Sequence, residues 1–201
     1  DPSPVTALGV LQGIKAAAQT VWGSTELGAR TVAIQGLGSV GGYLAGYLKD
    51  EGARIVGCDI DRDAIAQAQA LGVEIVPPEE IYDVECDIFA PCALGGVLDA
   101  RSIPRLACRA VVGAANNQLA TPEDAGRLRA RGILYAPDFV VNAGGAIAIT
   151  GQEALGWPEE KAREEVLRIG STLSRVFDLA EAEGITPDAA AKRVAEERLK
   201  A

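Results

Sequence analysis

The glycine-rich segment at residues 36–42 constrains this chain most strongly, because it lies between a buried strand and a helix. The preceding run, residues 31–35 (TVAIQ), is β-branched and apolar, and residues 43–48 return to helical spacing. Gly36, Gly38 and Gly41 form a G-x-G-x-x-G pattern, which permits a tight turn, close approach to a pyrophosphate and close helix–strand packing. Alone, the pattern also fits a glycine turn in another α/β fold. The strand before it and the helix after it favour a dinucleotide-binding unit.

An acidic residue at the end of the second strand supports this interpretation. Asp59 follows the run 54–58 and lies about 20 residues beyond the glycines, where an acid accepts hydrogen bonds from ribose hydroxyls and repels a 2′-phosphate. We therefore expect NAD rather than NADP. Arg62 is the one nearby feature that favours NADP. Asp59 could also cap the helix that begins near Asp61, and the two roles are compatible.

Strand and helix patterns alternate along the first two thirds of the chain. This alternation predicts an α/β fold, a Rossmann-type doubly wound parallel sheet with extra C-terminal helices. Residues 1–150 are expected to form the dinucleotide-binding domain, including an N-terminal helix, and residues 151–201 a helical extension. We find no internal sequence repeat of 20–50 residues. Predicted strands are 31–35, 54–59, 73–76, 86–90, 110–113 and 133–135. A first predicted helix ends near residue 22, and later ones span 61–71, 122–131, 140–155 and 158–183 or begin at 187.

Composition excludes several classes of function. The chain has no histidine, so imidazole-based triads and His-ligated zinc sites are excluded, and its four cysteines show no CxxC spacing, so no metal site is expected. A net charge of −9 argues against nucleic acid and anionic membranes as partners. Without an apolar span or a basic leader pattern, a cytoplasmic protein with reduced, buried thiols is expected.

Two further loops carry small and amide side chains after predicted strands. Residues 90–95 follow the fourth strand, and residues 113–117 (GAANN) follow the fifth. Ligands of open α/β sheets lie across the carboxyl ends of the strands, so these loops would meet the glycine segment and leave room for a nicotinamide ring. Asn116 could bond its ribose, although Asn-Asn is also ordinary turn chemistry. Asn142, followed by Gly144-Gly145, suggests close backbone approach to a ligand, or simply an Asn near a helix cap.

Taken together, five motifs resemble the amino-acid dehydrogenases that act on glutamate, leucine, valine and phenylalanine. The resemblance covers essentially the whole chain in order, and GGAI at 144–147 with LGW at 155–157 is most similar to phenylalanine dehydrogenase, then leucine dehydrogenase. The motifs are DPSPVTA at 1–7, GLGSVG at 36–41, APCA at 90–93, GAANN at 113–117 and APDFVVNAGG at 136–145.

The resemblance implies reversible, NAD-dependent oxidative deamination of an L-amino acid, such as phenylalanine or a branched-chain amino acid. It also implies a role for each matching residue. For the cofactor these are the pyrophosphate loop Gly36, Leu37, Gly38, Ser39, Val40 and Gly41, the ribose site Asp59 and Ile60, the nicotinamide side Cys92, Ala93, Ala114, Ala115, Asn116 and Asn142, and Ser3 and Thr6 near the amide. For the substrate they are Asn116, Asn142, Ala146 and Ile149.

The family's catalytic residues have no counterpart in this sequence. The family uses a lysine in a Gly-Gly-rich context, a second lysine and an aspartate, all in a domain preceding the DPS motif, whereas Lys15 and Lys49 lie in predicted helices and are expected to be solvated. We therefore expect no catalytic residue here, and a start at Asp1 suggests that the N-terminal catalytic domain is absent or supplied in trans. The alternative is a stand-alone dinucleotide-binding module without turnover. The sequence leaves open whether the chain forms a homo-oligomer.

Overall fold

A six-stranded parallel sheet forms the centre of the computed structural model, which describes residues 1–200. The strands are β1 (Thr31–Gln35), β2 (Arg54–Cys58), β3 (Glu74–Ile75), β4 (Ile88–Pro91), β5 (Ala110–Val111) and β6 (Leu134–Tyr135). Their order in the sheet is β3-β2-β1-β4-β5-β6, so β2 and β3 lie on one side of β1 and the later strands lie on its other side, beginning with β4. This arrangement confirms the predicted Rossmann-type α/β fold.

Both faces of the sheet are covered, because alternate residues of each strand enter different cores. On β1, Val32 and Ile34 pack into a large core with the long helices, whereas Ala33 packs into a smaller core on the opposite face. The helices are α1 (Ser3–Trp22), α2 (Ser39–Asp50), α3 (Arg62–Ala70), α4 (Glu123–Ala130), α5 (Asp138–Val141), α6 (Gly144–Ile149), α7 (Glu159–Leu167), α8 (Ile169–Glu183) and α9 (Pro187–Lys200).

Two long helices predicted near the C-terminus are interrupted. The segment 140–155 consists of α5, α6 and a π-helical turn, Thr150–Ala154, and the segment 158–183 divides into α7 and α8 at Arg168. At the π-helical turn, the indole of Trp157 occupies the place of the missing Gly151 side chain, since a Cβ there would lie 2.3 Å from a ring carbon. Helical spacing continues through both interruptions, which is why the sequence pattern concealed them.

A short structural repetition links the segments that lead into β4 and β5. Each begins with a 3₁₀ turn (Ile81–Asp83 and Ile103–Arg105), continues through paired bridge residues Glu85 and Ala107, and enters its strand at the same spacing. The expected absence of a sequence repeat of 20–50 residues stays a prediction. Few side chains are shared between the two segments, so the repetition exists in the backbone and is barely visible in the sequence.

The expected solvation of the two helical lysines is correct for Lys49 only. Lys49 is exposed, whereas the Lys15 ammonium lies 2.6 Å from the Glu51 carboxylate and is only partly exposed. Among residues 1–200, none of the helices combines the length and apolar character needed to cross a bilayer. Within the same range, His, Cys, Asp and Glu side chains form no cluster of three or more suited to a metal ion. The division at residue 150 stays a prediction.

Candidate functional site

Four loops meet at the carboxyl edge of the sheet, around the point where the strand order reverses. The Gly36 N–H donates to the Cys58 carbonyl, the Cys92 N–H to the Gln35 carbonyl, and the Ala115 N–H to the Pro91 carbonyl, over 2.7–2.9 Å. These bonds join the ends of β1, β2 and β4 to the loop after β5. The structure therefore brings together the glycine loop, Asp59, the Cys92–Ala93 pair and the residues around Asn116, as the sequence predicted.

The glycine loop is shaped for a close turn and an open helix end. Gly36 has φ +94°, and a Cβ on it would lie 2.7 Å from that of Ala93. A Cβ on Gly41 would lie 1.9 Å from the Gly36 carbonyl oxygen, so α2 packs directly on the turn. Gly38 is exposed, with no atom within 4 Å of a built Cβ, and no side chain caps the N-terminus of α2. An uncapped helix N-terminus beside open space suits a phosphate group.

Asp59 faces the same loop as an ionised carboxylate. Its Oδ2 accepts from the Leu37 N–H at 2.6 Å, and its Oδ1 accepts from the N–H groups of Ile60 and Asp61 at 2.7 and 2.9 Å. Burial raises the pKa of Asp59, but these backbone donors outweigh it and hold that pKa below its usual value. The alternative role as a helix cap is wrong, because the Asp61 side chain caps α3.

Two large apolar side chains beside this loop are exposed to solvent. Ile60, next to Asp59, is 89% exposed, and Leu94, next to Ala93, is 74% exposed. Exposed aliphatic side chains at the edge of a polar site offer surface for an apolar ring. Ile60 was predicted to contact the cofactor, whereas Leu94 was missed. Its position directly after the predicted residue Ala93 was the available signal.

The amide loop, defined as residues 113–117, is fixed by hydrogen bonds to α5. The Nδ2 of Asn142 donates to the Asn116 Oδ1 at 2.7 Å and to the Ala114 carbonyl at 3.3 Å. Asn117 adopts a left-handed conformation with φ +52°, which an Asn tolerates well. Asn116 and Asn142, predicted to share the site, are therefore in direct contact.

The Gly144-Gly145 pair approaches a helix rather than open space. A Cβ on Gly144 would lie 2.7 Å from the Val5 carbonyl oxygen, and one on Gly145 would lie 2.6 Å from the Thr6 hydroxyl. The expected role in ligand approach was wrong in this respect, because α1 fills the available space. The contact places the N-terminus of α1, with Ser3 and Thr6, against α6. Further along α6, Ala146 is exposed and Ile149 is 44% exposed.

The four cysteine thiols are free, and burial raises the pKa of each. Cys58 and Cys108 are buried as expected, whereas Cys86 and Cys92 are half-buried. Burial raises the pKa of Cys92 to about 11, so this thiol beside the glycine loop is protonated at neutral pH. The Cys92 side chain therefore adds a small neutral group to the site and no nucleophile.

Known proteins with this arrangement identify the family. A sequence profile described as Glutamate/Leucine/Phenylalanine/Valine dehydrogenase matches residues 2–76 and 60–201. The chain belongs to this dehydrogenase family. It is 46% identical over 200 residues to leucine dehydrogenase from Thermoactinomyces intermedius, covering 99% of this chain and 54% of the relative. It is 44% identical over 200 residues to L-tryptophan dehydrogenase from Nostoc punctiforme, covering 98% and 56%. The chain thus spans about half the length of these relatives.

Solved structures agree with the family assignment. The crystal structure of L-tryptophan dehydrogenase from Nostoc punctiforme matches with a TM-score of 0.96 and 42% identity, covering 100% of this chain and 61% of that one. A hetero-hexameric glutamate dehydrogenase from Thermus thermophilus, in a Leu-bound form, matches with a TM-score of 0.73 and 26% identity, covering 99% and 54%. Both the strand order and the C-terminal helices therefore have counterparts in dehydrogenases of this family.

Proposed function

We propose that this chain is the NAD-binding half of an enzyme that reversibly deaminates an L-amino acid to its 2-oxo acid and ammonia. The observation that carries the proposal is the uncapped N-terminus of α2 beside the open Gly38 position and the ionised Asp59 carboxylate. These are the groups that a dinucleotide needs for its pyrophosphate and its adenosine ribose. Membership of the family supports the reaction type.

Different loops at the carboxyl edge of the sheet bind different parts of the cofactor. Residues 36–41 hold the pyrophosphate, and Asp59 with Ile60 holds the adenosine ribose and the face of the adenine ring. The nicotinamide side belongs to Cys92, Ala93 and the amide loop, with Ser3 and Thr6 near the carboxamide. When bound, NAD supplies the acceptor for a hydride from the substrate Cα.

Preference for NAD over NADP follows from charge at the ribose. Asp59 stays ionised because backbone donors lower its pKa, and a carboxylate there repels a 2′-phosphate. Arg62, the feature that favours NADP, is exposed at the start of α3.

Substrate contacts belong to α5, α6 and the amide loop. Asn116 and Asn142 present polar groups toward the nicotinamide, and Ala146 and Ile149 form one wall of the side-chain pocket. The small side chain at Ala146 leaves volume for a branched or aromatic group, so L-phenylalanine and the branched-chain amino acids are the proposed substrates. Relatives named leucine, valine and tryptophan dehydrogenases are consistent with an apolar amino acid.

Proton transfer and carbonyl polarisation are assigned to groups outside this chain. Lys15 is engaged with Glu51 away from the carboxyl edge, and Lys49 lies exposed near the end of α2. The proposed catalytic half, carrying two lysines and an aspartate, packs against the N-terminus of α1 and α6 and excludes water when the cleft closes. The alternative function is dinucleotide binding without turnover.

Titration calorimetry with NAD and NADP tests the cofactor assignment. We expect NAD to bind more tightly than NADP, and Asp59→Ala to remove that preference by weakening NAD binding about tenfold. Asp63→Ala is the matched control, because Asp63 is an exposed acid in the first turn of α3, and this variant should bind NAD normally. Absence of NAD binding at millimolar concentration, or equal behaviour of the two variants, would refute the assignment.

A kinetic assay separates the two functions. NADH formation is followed with leucine, valine, phenylalanine and tryptophan, first with this chain alone and then with a lysine-bearing N-terminal half added in trans. Turnover only in the mixture supports the dehydrogenase proposal, whereas binding without turnover in either case supports the alternative. Turnover by the chain alone would refute the claim that the catalytic groups lie elsewhere.

Self-association of the chain is a separate proposal. Four large apolar side chains near α5 to α7 are exposed to solvent. The exposed fractions are 59% for Leu155, 41% for Leu167, 46% for Phe139 and 44% for Ile149. Exposed apolar side chains of this kind favour contact with a second copy or with the catalytic half. Light scattering that shows a monomer at micromolar concentration would reject homo-oligomer formation.

A further inference from the structure

Gln118 follows the amide loop directly and is completely buried, with 0% of its surface exposed. Its Nε2 donates to the carbonyl oxygens of Gly113 and Ala115, both at 2.9 Å. Its backbone N–H donates to the Asp138 Oδ2 at 2.8 Å. One residue therefore ties the beginning and the middle of the loop together from inside the protein and links the loop to the start of α5.

Every carbonyl in the first half of the amide loop has a side-chain donor. Gly113 and Ala115 use Gln118, and Ala114 uses Asn142. The Ala115 N–H donates to Pro91, and the Asn117 carbonyl accepts from Gly96. All of these bonds join groups of the protein to one another, and together they hold the loop in one conformation. A loop organised in advance avoids the ordering cost of binding.

The Gln118 side chain keeps this geometry at a cost. Its Oε1 is buried and has no hydrogen-bond partner among the described residues. Turning the amide over would place that oxygen against two carbonyl oxygens, so the observed orientation is the one that satisfies the loop. An unpaired buried oxygen is unfavourable, and an apolar side chain of similar size would avoid it. The hydrogen bonds to the Gly113 and Ala115 carbonyls offset this unfavourable contribution.

We propose that Gln118 is a positioning residue for the nicotinamide half of the cofactor. It acts through the backbone of the amide loop and does not touch the cofactor itself. This inference rests on the proposed function, because the loop is assigned to the nicotinamide side there. The adenosine half depends on the glycine loop and Asp59, whereas the hydrogen bonds of Gln118 run to Gly113, Ala115, Asp138 and Leu98.

Paired titrations of the variant Gln118→Met test this division. Methionine keeps the length of the side chain and removes both donors, so the Gly113 and Ala115 carbonyls lose their partners. We expect affinity for NAD to fall about tenfold, while affinity for ADP, which carries only the adenosine and pyrophosphate groups, changes less than about twofold. Equal losses for NAD and ADP, or no loss for either, would overturn the proposal.

Ser102→Ala serves as the control for general destabilisation. Ser102 is also buried, and its hydroxyl donates to the Val97 carbonyl at 2.6 Å and accepts from the Asp99 N–H. It therefore holds the segment that pairs with the end of the amide loop, but its hydroxyl bonds to none of residues 113–117. We expect it to lower stability and leave the ratio of NAD to ADP affinity unchanged. A shift in that ratio equal to the shift in Gln118→Met would contradict a specific role for Gln118.

A second variant keeps the test decisive if Gln118→Met does not fold. Gln118→Asn retains a buried amide but is one methylene shorter and cannot reach both carbonyls, so the same split between NAD and ADP is expected and equal losses again overturn the proposal. Binding of ADP but not NAD by the unchanged protein would refute the proposal, since the nicotinamide side would then be absent. Failure to bind either ligand would refute the proposed function and this inference with it.

Discussion

Replacement of Gly41 by alanine should separate the packing of the glycine loop from the general helix preference of α2. A Cβ at Gly41 would lie 1.9 Å from the Gly36 carbonyl oxygen, whereas such contacts are essentially never shorter than 3.0 Å. The turn and the helix must therefore move apart by about 1 Å. Overpacking of this kind costs about 1–3 kcal/mol, and a rigid backbone oxygen as the obstacle places Gly41→Ala near 3 kcal/mol.

Gly46→Ala is the matched control because it changes the same residue type in the same helix. Nothing lies within 4 Å of a Cβ built on Gly46, and alanine is the better helix former. The control should gain about 0.5–1 kcal/mol of unfolding free energy. The two substitutions thus differ in sign, although a sequence-based helix propensity assigns them the same value.

Equilibrium urea unfolding followed by circular dichroism measures both variants, and calorimetry with NAD measures the consequence for the site. For a chain of this size, the loss in Gly41→Ala corresponds to a lower Tm by roughly 6–12 °C. The displaced loop should also weaken NAD binding at least about tenfold. A Gly41→Ala protein as stable as the unchanged protein, or a Gly46→Ala protein equally damaged, would refute the steric argument.

Three further predictions concern charge, helix contact and thiols. Asp59→Asn should remove a contribution to stability that is fully present above about pH 5, because the folded-state pKa of Asp59 is lowered. That contribution should shrink as the pH falls from about 4 through the lowered folded-state pKa. Denaturation curves from about pH 8 to 2 check this, and a difference between the two proteins that stays constant over the whole range would contradict it. Gly145→Ala should cost about 1–3 kcal/mol, and Thr6→Ala in the same chain should restore much of it, since the Thr6 hydroxyl is the obstructing atom; purely additive losses in a double-mutant cycle would argue against this contact. Because burial raises the pKa of all four cysteine thiols to about 11 or 12, none should be alkylated by iodoacetamide at pH 8 before unfolding, and mass spectrometry showing early modification would disprove it.

Much of the fold was predictable because its signals are local. The run 31–35, the glycines after it and the acid at Asp59 lie within one βαβ unit, where periodicity and turn chemistry act over a few residues. The same holds for the positions of the later strands along the chain, because their apolar runs are bounded by turn residues. These local signals established the sheet, its parallel direction and the edge at which the loops converge.

Other features depend on contacts between distant segments and left no local trace. Helical spacing runs through Asn142 and through Gly151, so the breaks at α5, α6 and the π-helical turn follow from the Asn142 amide turning to the loop after β5 and from the indole of Trp157. The exposure of Leu94 and the buried hydrogen bonds of Gln118 were missed for the same reason. Leucine and glutamine become informative only when burial and partners are known.

The sequence by itself determined the α/β class, the dinucleotide fingerprint and the residues that line the carboxyl edge, because a glycine pattern between strand and helix has few physical solutions. Tertiary structure alone decided what each glycine is for. Open space lies beside Gly38, whereas Gly41 lets α2 pack against the Gly36 carbonyl oxygen and Gly145 lets α6 pack against the Thr6 hydroxyl of α1. The physical reason is that a missing Cβ acquires meaning only from the atom that lies where the Cβ would have been.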